Sequence, residues 1–527
     1  MKNNFLKSGL ALILFALLPF FGWAQEKANW YNLDLKTSGT FGISTEKAYN
    51  ELLKGKKSTP VIVAVLDGGV DLNHEDLKRV IWSNPKEIPN NGIDDDKNGY
   101  VDDRHGWNFL GGKNGNIEFE TLEITRLVRR DAARFANTTE NNLSSKDKAD
   151  YQAFLKNTTQ LETDLATAKS NLAGISGFKS VLDAVVKKIG KEIPKVTDFE
   201  NFQTQNQQEL KIKEVILNVL KESDFKTFYD SQIAEGYKYY YNQVNYSYNV
   251  DYNPRGIVGD DPNNSKERFY GNNDIMGPDA LHGSHVAGII AADRTNKLGV
   301  MGVADNVFIM GVRNTPNGDE RDKDVANAIR YAADNGAKVI NMSFGKGQSW
   351  DKQAVDEAVK YAVSKDVLLV HAAGNDNKDL EVENNFPTNK YLNGGLAASW
   401  ITVGASGPLA NETLKAAFSN YGKTTVDVFA PGVAIKSTVP GQKYVEESGT
   451  SMAAPVVAGL AALIRSYYPK LTALQVKDII LKSVVKVNQN VNILKGADTV
   501  SVSFADLCVT GGIVNAYNAL KLAATYK

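Results

Sequence analysis

The run Pro60-Val61-Ile62-Val63-Ala64-Val65-Leu66 is the strongest constraint on what this chain can fold into. It is continuously apolar, rich in β-branched residues, and stops at Asp67-Gly68-Gly69. A strand apolar on both faces must be covered on both, which is the situation of a parallel sheet between two layers of helices. The pattern recurs downstream. Residues 307–312, 337–342, 367–372, 401–404 and 426–429 read as further strands. Between them, 324–335 carries Val325, Ala328, Ile329 and Ala332 at helical spacing, and helices are expected near 351–364, 451–467, 472–482 and 512–523. Alternation of this kind predicts an α/β fold with helices on both faces of the sheet. In such folds the ligand crevice lies outside the carboxyl ends of the strands. Asp67 and Asn375 both fall there.

Composition narrows the function. The chain has 527 residues, 43% hydrophobic and 23% charged, the balance of a multidomain soluble protein. Its formal net charge is −1 and it has no basic cluster interleaved with aromatics, so no nucleic-acid partner is expected. Lys2 and Lys7 precede an apolar run from Gly9 to Phe21, followed by Gly22-Trp23-Ala24. That is the pattern of a signal peptide over residues 1–24, and the run is short for a membrane span. The expectation is export, to the periplasm or beyond, with no stable membrane insertion once the signal is removed. Cys508 is the only cysteine, so no intrachain disulfide can form. Stability outside the cell must then come from a large core and bound ions. The apolar surroundings of Cys508 predict inert burial.

Residues 117–247 differ from the rest. They are polar and contain no His, Cys or Trp. Phe154, Leu161, Leu165 and Leu172 form a helical stripe, and Val215, Val219 and Leu220 repeat it. We read this segment as a helical insertion that divides the α/β domain into 25–116 and 248–527. Its end, 237–252, is dense in tyrosine.

Four side chains suggest chemistry. Ser451, in Gly449-Thr450-Ser451-Met452-Ala453-Ala454-Pro455, sits at an expected helix start, where free N–H groups favour developing negative charge. Taken alone it is an ordinary N-cap residue. A serine nucleophile needs a base, and the chain has five histidines. His282 and His285 are three apart; they could ligate a metal, but the glutamate and four-residue spacing of the zinc-protease motif are missing. His285 and His371 read as packed core histidines, and His74 and His105 lie in polar loops. Asp67, ending a buried strand, needs a partner such as a histidine N–H, unless it only closes a turn. Asn375, after Ala372-Ala373-Gly374, can donate to an oxyanion; otherwise it too is a turn residue.

Together these stretches resemble the subtilisin (subtilase) family of serine peptidases. The matching segments are Val63–Asp71, His282–Gly288, Asn341-Met342-Ser343-Phe344-Gly345, Ala372–Asn375, Ala430-Pro431-Gly432 and Gly449–Pro455, in the family's order of Asp, His, Asn and Ser. The resemblance implies a subtilisin-like parallel seven-stranded sheet plus the mainly helical insertion. It implies a secreted endopeptidase that cleaves peptides or proteins through Asp67, His282 and Ser451 and an acyl-enzyme, with Asn375 in the oxyanion hole. Ser343, Phe344, Gly345 and Gly374 become substrate-binding, the first three as a strand that pairs with the peptide. A catalytically silent, subtilase-like binding protein and a non-peptide esterase are the alternatives. The insertion between Asp67 and His282 departs from the compact members, and we expect it to shape the substrate cleft. Little room remains for a large prodomain.

A second motif lies before the insertion. Asp94, Asp96, Asn98, Tyr100 and Asp102 supply oxygen at alternate positions with Gly99 sixth, as in an EF-hand-type calcium loop. His105 stands where the loop's bidentate glutamate belongs, and an acidic solvated turn is the alternative. Asp76 matches a position where family members often place a calcium ligand. Structural calcium is therefore expected, with no cofactor for the chemistry itself.

Overall fold

The computed structural model describes residues 28–496 and 498–526; the expected signal peptide lies outside them. The chain separates into two compact units, residues 25–123 with 253–527, and residues 124–252.

The larger unit is built on one sheet. Its strands are β1 (Val61–Asp67), β2 (Gly106–Asn108), β3 (Val307–Arg313), β4 (Val339–Met342), β5 (Leu368–Ala372), β6 (Trp400–Ser406), β7 (Val428–Pro431), β8 (Val485–Lys486) and β9 (Gly512–Ile513). Their spatial order is β8-β9-β7-β6-β5-β4-β1-β3-β2. All neighbours run parallel except β8 and β9. Among the described residues the sheet thus has nine strands, where the hydrophobic pattern marks six and the family resemblance implies seven. The three not anticipated, β2, β8 and β9, are two or three residues long, too short for any hydrophobic period to register.

Side-chain alternation in β1 explains the two helical layers. Val61, Val63 and Val65 enter one core with Val286, Ile289 and Ile290 of α1 (Leu281–Ala291) and Val456, Val457 and Leu460 of α4 (Thr450–Tyr467). Ala64 and Leu66 enter the opposite core with Val325 and Ile329 of α2 (Asp322–Asp334) and Val355 and Val359 of α3 (Lys352–Ser364). Every residue of β1 except Ile62 is buried, as its composition requires. A third core gathers Phe429, Phe504 and Leu507 around the thiol of Cys508, whose pKa burial raises.

The smaller unit is helical. Its longest element, Ser145–Ile189, starts on a capping bond from the Asp147 N–H to Ser144 Oγ and ends at Gly190 with φ 75°. Leu161 of the apolar stripe is buried, while Phe154, Leu165 and Leu172 are half-buried. The main core of the unit gathers Leu182, Val185, Phe199, Ile212, Ile216, Phe225 and Phe228. Its ends are tied by Thr125 Oγ1 donating to Ser247 O at 2.7 Å and Arg129 donating to Tyr252 O at 2.8 Å. The segment therefore runs from 124 to 252. Residues 117–123 go with the larger unit, where Ile117 O accepts from Arg313 Nη2 and Glu120 pairs with Arg321.

Candidate active site

Asp67 is the last residue of β1, and its side chain is 2% exposed. Its carboxylate accepts the Gly68 N–H at 2.7 Å, and it faces His282 Nδ1 at 2.8 and 3.0 Å. His282 is the second residue of α1, and the close approach has a specific cause in the residue that follows. A Cβ at Gly283 would stand 2.2 Å from Gly69 O and 3.0 Å from Asp67 Cβ, so only glycine lets α1 settle on the end of β1. Burial lowers the imidazole pKa, but the Asp67 charge and hydrogen bond outweigh it and hold His282 above the ordinary 6.5. The contact also fixes the tautomer with Nε2 free to accept a proton.

Ser451 is the second residue of α4, after Gly449 at the N-cap. Its Oγ donates to Ser343 O at 3.0 Å. Ser343 follows the last residue of β4, just as Asp67 follows Leu66, and Leu66 is paired with Met342. Asp67 and Ser343 are therefore the next residues along two neighbouring strands whose register runs to Leu66 and Met342. Asp67 thus holds His282 at the end of β1, and Ser343 O holds Ser451 Oγ just past the end of neighbouring β4. No hydrogen bond joins Ser451 to His282 among the described residues; such bonds are often long until substrate arrives.

Asn375 is fixed by its oxygen. Oδ1 accepts both the Thr450 N–H and Thr450 Oγ1 at 2.9 Å, and Thr450 Oγ1 also accepts the Gly374 N–H at 3.0 Å. The amide nitrogen is thereby turned toward the space before Gly449. A Cβ built on Gly449 would lie 3.3 Å from Asn375 Nδ2 and 3.6 Å from Ser451 N. The two expected oxyanion donors thus flank one small volume, open because residue 449 is glycine. First-turn N–H groups such as that of Ser451 have no partner within their helix.

Asn420 is a contributor that spacing did not reveal. Its side chain accepts from the N–H groups of Asp376 and Lys378 at 3.1 and 2.8 Å and donates to Ala373 O at 2.8 Å. It clamps the turn that carries Asn375, where Gly374 has φ 100° and a Cβ would fall 2.5 Å from Asn420 Nδ2. Nothing in its sequence neighbourhood announces a role that depends on meeting residues 373–378 across the fold.

The expected substrate wall is corrected in one respect. β4 ends at Met342, so Ser343, Phe344 and Gly345 lie just beyond the sheet. A Cβ at Gly345 would clash with Asn385 Oδ1 at 2.3 Å, and His371 Nε2 donates to Phe344 O at 2.8 Å. His371 and His285 are core histidines as anticipated, each pushed down to about 4 by burial. His285 donates through Nε2 to Val445 O. His74, in its polar loop, is fully buried against Lys443 O and the Asp76 N–H.

The acidic loop is shaped by its own side chains. Both oxygens of Asp94 accept backbone N–H groups, from Asn98 and Gly99, and both oxygens of Asp102 accept those of Asn91 and Gly92. Asn98 Oδ1 takes the Tyr100 N–H. Asp76 is buried with its oxygens on Asn296 Nδ2 and Val300 N. Among the described His, Cys, Asp and Glu side chains, the group placed to share an ion is instead Glu87, Asp96 and Asp103. Only Asp96 belongs to the anticipated set.

With this geometry in view, the chain can be placed by comparison. Residues 58–497 match the subtilase family, and the chain belongs to it. Relatives include a thermophilic serine proteinase of Bacillus sp. (strain AK1), 45% identical over 35% of this chain and 42% of that protein. Subtilisin DY of Bacillus licheniformis is 40% identical over 37% of this chain and 68% of its own length. This chain thus spans less than half of some of the relatives it matches. Among solved structures, proteases from Pseudoalteromonas arctica PAMC 21717 align over 48% of this chain and 78% of theirs, with 28% identity and a TM-score of 0.39.

Proposed function

We propose that this protein is an exported serine endopeptidase acting through Asp67, His282 and Ser451. Two contacts at the ends of neighbouring strands carry the reading: Asp67 clasps His282 Nδ1, and Ser343 O, one residue past Met342, holds Ser451 Oγ. An acid paired with a base, a serine on the neighbouring strand end and two donors beside one small volume are the parts that such a mechanism needs, and they support the reading.

The reaction follows from the geometry. A peptide lies along Ser343–Gly345 as an added strand. Ser451 Oγ leaves Ser343 O and attacks the scissile carbonyl carbon while its proton passes to His282 Nε2. Asp67 stabilises the imidazolium, and Asn375 Nδ2 and the Ser451 N–H hold the oxyanion. His282 then gives the proton to the departing amine, leaving an acyl-enzyme. A water that loses its proton to His282 attacks the ester and restores Ser451.

Export through residues 1–24 belongs to the same reading, as do peptide or protein substrates. No helix among the described residues is long and apolar enough to cross a membrane. Labelling by a fluorophosphonate probe, with peptide-library cleavage alongside, tests the proposal. The parent should label and cleave, and Ser451→Ala should do neither. A folded parent that never labels would instead be the silent binding protein.

A further inference from the structure

We infer that Glu87, Asp96 and Asp103 form a binding site for a hard divalent cation, calcium by its chemistry, and that Glu87 supplies the carboxylate the loop motif lacks. One ligand oxygen from each of the three lies within 4.8 Å of the others. Asp103 is fully buried and Glu87 is 5% exposed. Asp96 is half-buried; three carboxylates so close, two of them out of water, repel one another and lose hydration.

Their surroundings supply only neutral donors. Asn84 Nδ2 donates to Asp96 Oδ2 at 3.2 Å and to Asp103 Oδ1 at 3.0 Å. Asn98 Nδ2 and the Tyr331 hydroxyl donate to Asp103 Oδ2 at 2.9 and 2.7 Å. No ion pair joins any of the three to a Lys, Arg or His among the described residues. These donors orient the carboxylates and leave their charge in place.

Glu87 points to the occupant. Its Oε1 accepts the Asp96 N–H at 3.1 Å, which docks the carboxylate on the loop. Its Oε2 is buried and has no hydrogen-bond partner. An ionised oxygen left unpaired in the interior is costly, whereas a cation bound there would satisfy it. The donor set is all oxygen, which suits calcium or magnesium rather than zinc. A spread of up to 4.8 Å suits calcium–oxygen distances of about 2.3–2.6 Å better than the tighter octahedron of magnesium.

This relocates the site within its motif. His105, at the position of the missing glutamate, is turned away, its Nδ1 on Trp82 O at 2.7 Å. Glu87 arrives from ahead of the loop. Asp94 and Asp102 shape the turns and stand outside the ligand group.

The assignment is independent of the peptidase reading, so its test uses the inactive Ser451→Ala protein and reads binding rather than activity. Equilibrium dialysis with radioactive calcium, paired with thermal melting in EGTA, should show a site whose affinity falls at least about tenfold in Glu87→Gln and in Asp103→Asn. That site should keep its affinity in Asp76→Asn. Unchanged binding in Glu87→Gln, or a parent melt indifferent to EGTA, overturns the assignment. Should the variants fail to fold, crystals of the Ser451→Ala protein soaked in terbium decide it. An anomalous peak must touch oxygens of all three residues, and its absence there refutes the site.

Discussion

Ser343 and Ser451 exchange hydrogen bonds: Ser451 Oγ donates to Ser343 O at 3.0 Å, and Ser343 Oγ donates to Ser451 O at 2.8 Å. The second bond has a cause four residues further on. In a regular helix Ser451 O would accept the N–H of residue 455, but Pro455 has none. Ser343 Oγ fills the vacancy and ties the nucleophile's turn to the substrate wall. Asn341 Nδ2 donates to the same hydroxyl at 3.0 Å and orients it. Ser343→Ala should therefore cost about 1 kcal/mol of stability and lower kcat several-fold. Pro455→Ala gives Ser451 O a donor within the helix. In that background the loss from Ser343→Ala should shrink, and a double-mutant cycle on Tm and kcat measures the difference. Strict additivity would show that the two positions do not share the carbonyl.

Gly449 keeps open the small volume proposed for the oxyanion. Its φ is 170°, extended backbone that any residue adopts, and an added Cβ meets nothing closer than 3.3 Å. Alanine is thus expected to fold. Its methyl would nevertheless occupy the volume between Asn375 Nδ2 and Ser451 N. Gly449→Ala should lower kcat about as severely as Asn375→Ala, for which the scale set by a subtilisin is about 10²–10³. Tm should move little in Gly449→Ala. Near-normal turnover in that variant would place the oxyanion elsewhere.

The pH dependence follows from the sign of the His282 shift. In the proposed mechanism His282 must be neutral to take the Ser451 proton, and Asp67 holds its pKa above 6.5. The acid limb of kcat/KM should therefore inflect above 6.5, with activity falling as pH drops through that point. Stability has a different limb. His285 and His371 are pushed down to about 4, whereas the unfolded chain takes up protons near 6.5. The unfolded state binds more protons between these values, so Tm should fall as pH goes from about 6.5 toward 4. His371→Gln, which can still donate to Phe344 O, should flatten that fall. A slope unaffected by this variant would assign the acid sensitivity to other groups.

The sequence was most legible where function demands a residue type at a local position. Asp67 ends a strand and Ser451 lies in the first turn of a helix whose hydrophobic patterns are plain in the sequence, while His282 shows in its motif. Spacing could not show what distant chain segments bring to the site. Asn420 reaches the Asn375 turn, and Glu87 reaches Asp96, only because the fold returns them there. The acidic loop shows the same limit. Alternate acidic positions describe a linear loop, while Asp94 and Asp102 spend their oxygens on backbone N–H groups to form its turns. The short strands β2, β8 and β9 exist by pairing alone and carry no period to read.

The helical segment offers a prediction about folding. Leu182, Val185, Phe199 and Ile216 are fully buried and drawn into a core made from its own helices. Lys188 with Glu209 and Lys179 with Asp183 pair on the same elements. Its two ends are held together by Thr125 with Ser247 and Arg129 with Tyr252. A segment with its own core and adjoining ends can be added to a loop without disturbing the host. Residues 124–252 expressed alone should then show helical circular dichroism and a cooperative melt. Phe199 packs on Phe225 with ring centroids 5.6 Å apart, so Phe199→Ala should destabilise the excised segment by about 3–5 kcal/mol. A featureless spectrum from the excised segment would mean that these contacts form only within the whole chain.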